Sequence, residues 1–212
     1  MARCARDPSD RLFARAVAPR RRIGILGGSF APAHSGHVLI SKLACKYLAL
    51  DELWWVVAYH HPFKDHSPRD YASRLRQAKN VASAFPMIRI SSLEAHIKSR
   101  STYALITALQ SRRPRQRYIL IVGADVLAEL PRWHRWQDVV QKIPLAIFDR
   151  QPYTYKALLG QFAQRYRRYR TSSMCSHLVS VAPPAWIFFN AFPRSHLSSS
   201  ELRGQSRPTT LA

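Results

Sequence analysis

Apolar positions along the chain follow two alternating rhythms. Near-continuous apolar runs at residues 22–26, 53–57, 87–90, 118–122, 144–150 (a strand with its exit) and 186–189 have strand length. Their lack of strict polar alternation predicts strands covered on both faces, as in a parallel sheet. Between them the spacing changes to that of helices. Val38, Leu39, Leu43, Ala44, Tyr47 and Leu48 share one helical face, and Tyr71, Leu75, Ala78 and Val81 or Ala82 do so within 69–84. A helix start is predicted near 101–109 with Thr102 as its N-cap, and a basic helical segment spans 154–170. Strand, helix and strand in this order predict a right-handed βαβ unit inside an α/β fold: a Rossmann-like open parallel sheet flanked by helices. Such sheets bind ligands at the carboxyl ends of their strands.

The first of those ends carries unusual chemistry. Gly27-Gly28-Ser29-Phe30-Ala31-Pro32-Ala33-His34-Ser35-Gly36-His37 joins the first strand to its helix. Glycines let a backbone approach an anion closely, and the first amides of the helix have no intrahelical partner and point at it. His34 and His37, three apart, share a face at the helix start and can reach one bound group. Two other phosphate-binding patterns do not fit. The Lys-Ser/Thr of a P-loop is missing after the glycines, and so is a G-x-G-x-x-G with a distant acidic residue.

Composition bounds the rest. A chain of 212 residues, 47% apolar, is long enough for one well-buried domain. Residues 1–21 show no sustained periodicity and are expected to form a flexible basic arm, with 22–206 as the single domain and 207–212 as a short tail. Cys4, Cys45 and Cys175 lie far apart without a C-x-x-C, which points to a reducing, cytoplasmic setting. No apolar run reaches membrane-spanning length, so no membrane partner is expected. The outlier is charge. With 33 basic against 12 acidic residues the formal charge is +21, a field that attracts polyanions without choosing among them. His60, His61, Asp65 and His66 crowd one loop, but loop histidines without a companion ligand elsewhere are ordinarily solvated, and no metal site is assigned.

The stretch Gly27-Gly28-Ser29-Phe30-x-Pro32-x-His34-x-Gly36-His37 resembles the signature of the HxGH nucleotidyltransferase superfamily. Gly123-Ala124-Asp125 with Trp133-His134-Arg135-Trp136 then resembles the bacterial nicotinate-nucleotide adenylyltransferase family within it. Ser101-Thr102-Tyr103-Ala104 and Leu197-Ser198-Ser199-Ser200-Glu201-Leu202-Arg203 resemble two further family segments. The resemblance implies adenylyl transfer from ATP to nicotinate mononucleotide, releasing pyrophosphate, with Mg²⁺ accompanying ATP. It implies His34, His37, Lys64 and Arg203 as catalytic groups on the phosphates. Gly27, Gly28, Ser29, Phe30, Gly36, Gly123, Asp125, Ser198, Ser199 and Ser200 are implied at ATP, and Tyr103, Ala104, Trp133 and His134 at the second substrate. Arg74 falls where the family carries an arginine packed near the site.

Physical chemistry supports several of these roles. Trp133 offers a ring face to a pyridine, Asp125 can accept from a ribose or base, and Ser198 with Glu201 reads as a capping box. The chain departs from the family at Ala31, where Asp or Asn is usual, and at Ala104, where the family has threonine. Only nine residues follow Arg203, short of the family's helical tail. Two alternatives stay open: a sister enzyme acting on phosphopantetheine or a cytidylyl substrate, and a non-catalytic, basic RNA-binding protein on this fold. The choice between nicotinate and nicotinamide, and the oligomeric state, are not decided by sequence.

Overall fold

The computed structural model describes residues 20–59, 68–149, 152–171, 178 and 180–190; for 68–70 it describes the backbone alone. Six parallel strands form one sheet: β1 (Arg22–Gly28), β2 (Glu52–Val57), β3 (Ile88–Ser91), β4 (Arg117–Gly123), β5 (Leu145–Phe148) and β6 (Trp186–Phe189). Their order is β3-β2-β1-β4-β5-β6. The sequence therefore runs outward from β1 in one direction and, after returning to β4, outward in the other. A crevice is left between the carboxyl ends of β1 and β4, where the winding reverses.

Every strand but the edge strand β3 feeds two cores, with period two; β3 gives Ile88 and Ile90 to one. Ile23 and Ile25 of β1 and Tyr118, Leu120 and Val122 of β4 face one layer, and Leu26, Ile119 and Ile121 face the other. Helices α1 (Ser35–Tyr47) and α2 (Pro68–Ala82) bury Val38, Ala44, Ala78 and Ala82 in the second layer. After the short α3 (Leu93–Ile97) come α4 (Thr102–Arg112), α5 (Ala124–Glu129) and α6 (Trp136–Lys142), which bury Leu105, Leu127 and Val139 in the first. Burial on both faces is why the strands read as unbroken apolar runs. Cys45 packs in the second layer, where burial pushes its thiol up to about 11. Among the described residues no helix is long and apolar enough to cross a membrane.

Three local expectations change. The helix near 101 takes Ser101, not Thr102, as its N-cap, and Thr102 is its first helical residue. The segment 154–170 is not one helix but α7 (Thr154–Leu158), α8 (Gln161–Arg165) and a 3₁₀ turn over Arg167–Tyr169. Gly160 between them is extended, and a Cβ there would sit 3.1 Å from the Lys156 carbonyl oxygen, closer than side chains normally approach. Helix α3, unanticipated, follows β3 at the sheet edge.

Candidate active site

At the start of α1 the two histidines hold each other's backbone. His34 is the N-cap, extended at φ −148° and ψ 173°. Its Nδ1 accepts the Gly36 N–H at 3.1 Å, and Nδ1 of His37 accepts the His34 N–H at 3.2 Å. This is a reciprocal cap of the kind Ser/Thr and Glu normally make. It has a chemical consequence. An Nδ1 that accepts a hydrogen bond leaves the proton of a neutral ring on Nε2, so both histidines become Nε2–H donors without needing to be charged. Their ring centroids lie 4.0 Å apart.

The pair is held from behind. Phe30, 1% exposed, stacks on Trp55 with centroids 4.9 Å apart and touches the His37 ring at 4.8 Å. Trp55 Nε1 donates to Ser41 Oγ at 2.8 Å, and that hydroxyl donates to the His37 carbonyl at 2.7 Å. Phe30 sits at φ 48°, a left-handed conformation that costs a bulky residue energy and persists only because its ring is locked in the core. None of the described glycines has a positive φ; their value is space. A Cβ on Gly27 would meet nothing within 4 Å, so the backbone there is open to a ligand.

The neighbouring strand ends are bound to the same place by Arg74. Its side chain, from α2, is 2% exposed. Nη1 donates to the carbonyls of Ser29 and Ala58, each at 2.8 Å, and Nη2 to that of Tyr59 at 3.5 Å. Glu94 of α3 completes the cluster by accepting the Tyr59 N–H at 3.1 Å. Burial pushes its carboxyl from 4.5 up to about 7, with the Tyr59 hydrogen bond and the Arg74 charge pulling the other way.

The folded state therefore keeps this proton to higher pH than the unfolded chain. The stabilisation is fully present below about pH 4.5, fades as pH rises to about 7, and is absent above. Glu94→Gln mimics the protonated form. We expect the variant to match the natural protein at pH 4.5 and to exceed it by about 1–3 kcal/mol at pH 8, read from denaturant unfolding. Equal pH slopes for the two proteins would refute it.

Across the crevice, β4 ends at Gly123, the N-cap of α5, with Asp125 in the first turn. Pairing between β1 and β4 stops at Leu26 and Ile121, so Gly28 and Gly123, each two residues on, lie on the two sides of the opening. The Asp125 carboxylate folds closely over Gly123, and a Cβ there would push it aside. Trp133, half-buried, closes the 3₁₀ turn after α5 and packs against the core, with His134 exposed beside it. Arg135 at φ 54° then lays its guanidinium 4.0 Å from the Tyr103 ring centroid, joining the Trp133 segment to the first turn of α4, where Ala104 also lies.

The expected residues thus gather as two groups at one sheet edge: Gly27, Gly28, Ser29, Phe30, His34, Gly36 and His37 beside Gly123 and Asp125, and Tyr103 and Ala104 linked through Arg135 to Trp133 and His134. Lys64, Ser198, Ser199, Ser200 and Arg203 lie outside the described residues. Sequence reasoning missed Ser41, Trp55, Glu94 and Arg135. Only Glu94 left a trace, as an acidic side chain in a strongly basic protein.

A doubly wound sheet whose first crossover helix opens on a pair of Nε2–H histidines at the switch point defines a class, the HxGH nucleotidyltransferases. The model of the cytidylyltransferase-like family matches residues 25–205. A protein of Bradyrhizobium sp. (strain ORS 278) named probable nicotinate-nucleotide adenylyltransferase is 42% identical over 184 residues, 86% of this chain and 95% of the relative. One of that name from Brucella suis biovar 1 is 38% identical over 185 residues, 85% and 93% of the two chains. Nicotinic acid mononucleotide adenylyltransferase of Plasmodium falciparum, solved in complex with NaAD, shares the fold with a TM-score of 0.67 at 18% identity, over 87% of this chain and 83% of that one. The chain belongs to the nicotinate-nucleotide adenylyltransferase family, which favours that reading over the sister enzymes and a non-catalytic protein.

Proposed function

We infer that the chain transfers the adenylyl group of ATP to nicotinate mononucleotide, giving nicotinate adenine dinucleotide and pyrophosphate in NAD biosynthesis. The observation that carries the chemistry is the reciprocal histidine cap, in which both Nδ1 atoms accept backbone N–H groups at the helix N-terminus, so that each ring's donor is its Nε2–H. An oxygen of the acceptor's phosphate attacks the α-phosphorus of ATP in line. A new P–O bond forms there as the bond to the bridging oxygen of pyrophosphate breaks. No protein nucleophile enters, so the work is positioning and stabilisation of charge.

His34 and His37 donate to the α-phosphate oxygens as charge builds on them. ATP lies over the bare backbone of Gly27 and Gly28, with Ser29, Phe30 and Gly36 shaping the turn, and Gly123 and Asp125 receive the ribose or base. Ser198, Ser199, Ser200, Lys64 and Arg203 serve the phosphates, the lysine as a mobile charge that follows the leaving pyrophosphate. Trp133, beside His134, stacks on the pyridine, and the first amides of α4 around Tyr103 and Ala104 take its carboxylate. Backbone recognition of that kind tolerates Ala104 in place of threonine.

Mg²⁺ arrives on the triphosphate as part of the substrate. The donors gathered at the site are N–H groups suited to phosphate oxygens, and among the described residues no three of His, Cys, Asp or Glu are grouped to hold an ion. The test is pyrophosphate release from MgATP with nicotinate mononucleotide, nicotinamide mononucleotide or phosphopantetheine as acceptor. The acid mononucleotide is expected to give the highest kcat/KM. A preference for phosphopantetheine would overturn the assignment.

A further inference from the structure

Beside the sheet lies a second concavity that the adenylyl-transfer chemistry does not use. It is a cavity of about 770 Å³ that runs along β3 on the face of the first core, from the starts of β1 and β2 and the end of α4 to the β3–α3 junction at Ser92 and Leu93, with His96 of α3 also in its lining. Four arginines, Arg21, Arg89, Arg112 and Arg113, and one carboxylate, Glu52, supply its charge, and Trp54 gives it an aromatic wall. Its charged end, at Arg21, Glu52 and Arg89, is set apart from the catalytic turn: six steps of β1, roughly 20 Å of extended chain, lie between Arg22 and Gly28.

The cluster is built rather than casual. Glu52 is 7% exposed, and its two oxygens are divided among three donors. One takes the Arg21 guanidinium; the other takes Trp54 Nε1 at 2.9 Å and Arg89 Nε at 3.0 Å. Strand pairing places Arg89 directly opposite Trp54. The buried carboxylate thereby fixes the indole and two guanidinium stems, while the side chains of Arg21 and Arg89 stay 45% and 62% exposed at the mouth. From the other wall Arg113, solvent-exposed at the end of α4, lies 5.3 Å from the Trp54 ring centroid. One carboxylate cannot neutralise four arginines, and a concave wall concentrates what remains of their field.

Oriented guanidinium forks beside an aromatic face recognise a phosphate joined to a flat ring. The volume lies within the range of small-ligand sites. We propose that this cavity is a second, non-catalytic anion site that takes a nucleoside diphosphate, its phosphates on Arg89, Arg21 and Arg112 and its base against Trp54 and Arg113.

The probe is ADP, counted by equilibrium dialysis against the full chain. In Arg89→Gln/Arg113→Ala, one equivalent of ADP seen with the natural protein is expected to weaken at least about tenfold, the loss of a charge-assisted contact. Turnover with MgATP and nicotinate mononucleotide stays within about twofold, which also reports that the variant is folded. Arg113→Ala alone, which leaves the Glu52 cluster whole, is expected to weaken the same equivalent to a smaller extent. Identical ADP stoichiometry and affinity in the natural protein and both variants would overturn the proposal. So would a variant whose only loss is binding of a single-stranded oligoribonucleotide, which would make the cavity part of an RNA surface.

Discussion

His37→Ala is expected to lower kcat for pyrophosphate release by roughly 10²–10³, with a much smaller change in KM for ATP. The side chain does two things. Its Nε2–H is the donor proposed to meet the α-phosphate, and its Nδ1 accepts the His34 N–H at 3.2 Å. Alanine removes the first and leaves the second without its acceptor, so His34 loses part of what holds its own ring. A donor that meets charge only as it develops stabilises the transition state more than bound ATP, and its loss therefore falls on kcat. His37→Asn separates the two roles, because its amide oxygen can still accept from the backbone while its donor points elsewhere. It is expected to keep thermal stability near that of the natural protein and to share most of the loss in kcat. A His37→Ala protein within threefold of natural kcat would reduce the histidine to a helix cap.

That separation of roles also shows what could be read from the chain. Five of the six strands were legible because a parallel strand buried on both faces must be largely apolar, and those of 53–57 and 118–122 lie almost entirely in the core; the edge strand β3 is apolar only at alternate positions. The histidine motif was legible because its chemistry lies within four residues of sequence. Glu94 was not, since what makes it unusual is supplied by Tyr59 and Arg74, 35 and 20 positions away in the chain and brought together only by the sheet. Ser41 reads as an ordinary helix serine until Trp55 arrives to donate to it. Segment 154–170 failed differently. Its spacing suits a helix, but the backbone at Gly160 turns away from one and packs against carbonyls of the preceding turn. The net charge announced a field and not a place. The cavity around Glu52 depends on which arginines the start of β3 and the end of α4 bring together.

Arg74→Met is expected to cost about 3–5 kcal/mol of folding stability, the range for breaking a buried charged network from one side. For a chain of this length that corresponds to a fall in Tm of roughly 10–15 °C. The aliphatic stem is largely replaced, so lost packing is the smaller part. The greater part is that the Ser29, Ala58 and Tyr59 carbonyls lose a donor at the carboxyl ends of β1 and β2. Ser29 belongs to the turn proposed to present Gly27 and Gly28 to ATP, so kcat should fall further than the unfolded fraction explains. Arg74→Lys keeps the charge but cannot span the separate carbonyls as a planar fork does, and should lie between the two. Glu94 makes the account specific. The Arg74 charge is one of the influences holding its proton affinity down. Without it the carboxyl is protonated through a wider pH range, or at high pH is left as a buried anion without the Arg74 charge. Adding Glu94→Gln to Arg74→Met removes that penalty. At pH 8 the double variant should therefore be more stable than Arg74→Met alone, by more than Glu94→Gln stabilises the natural protein. Additive effects of the two substitutions would show that Arg74 acts on the strand ends alone, without coupling to Glu94.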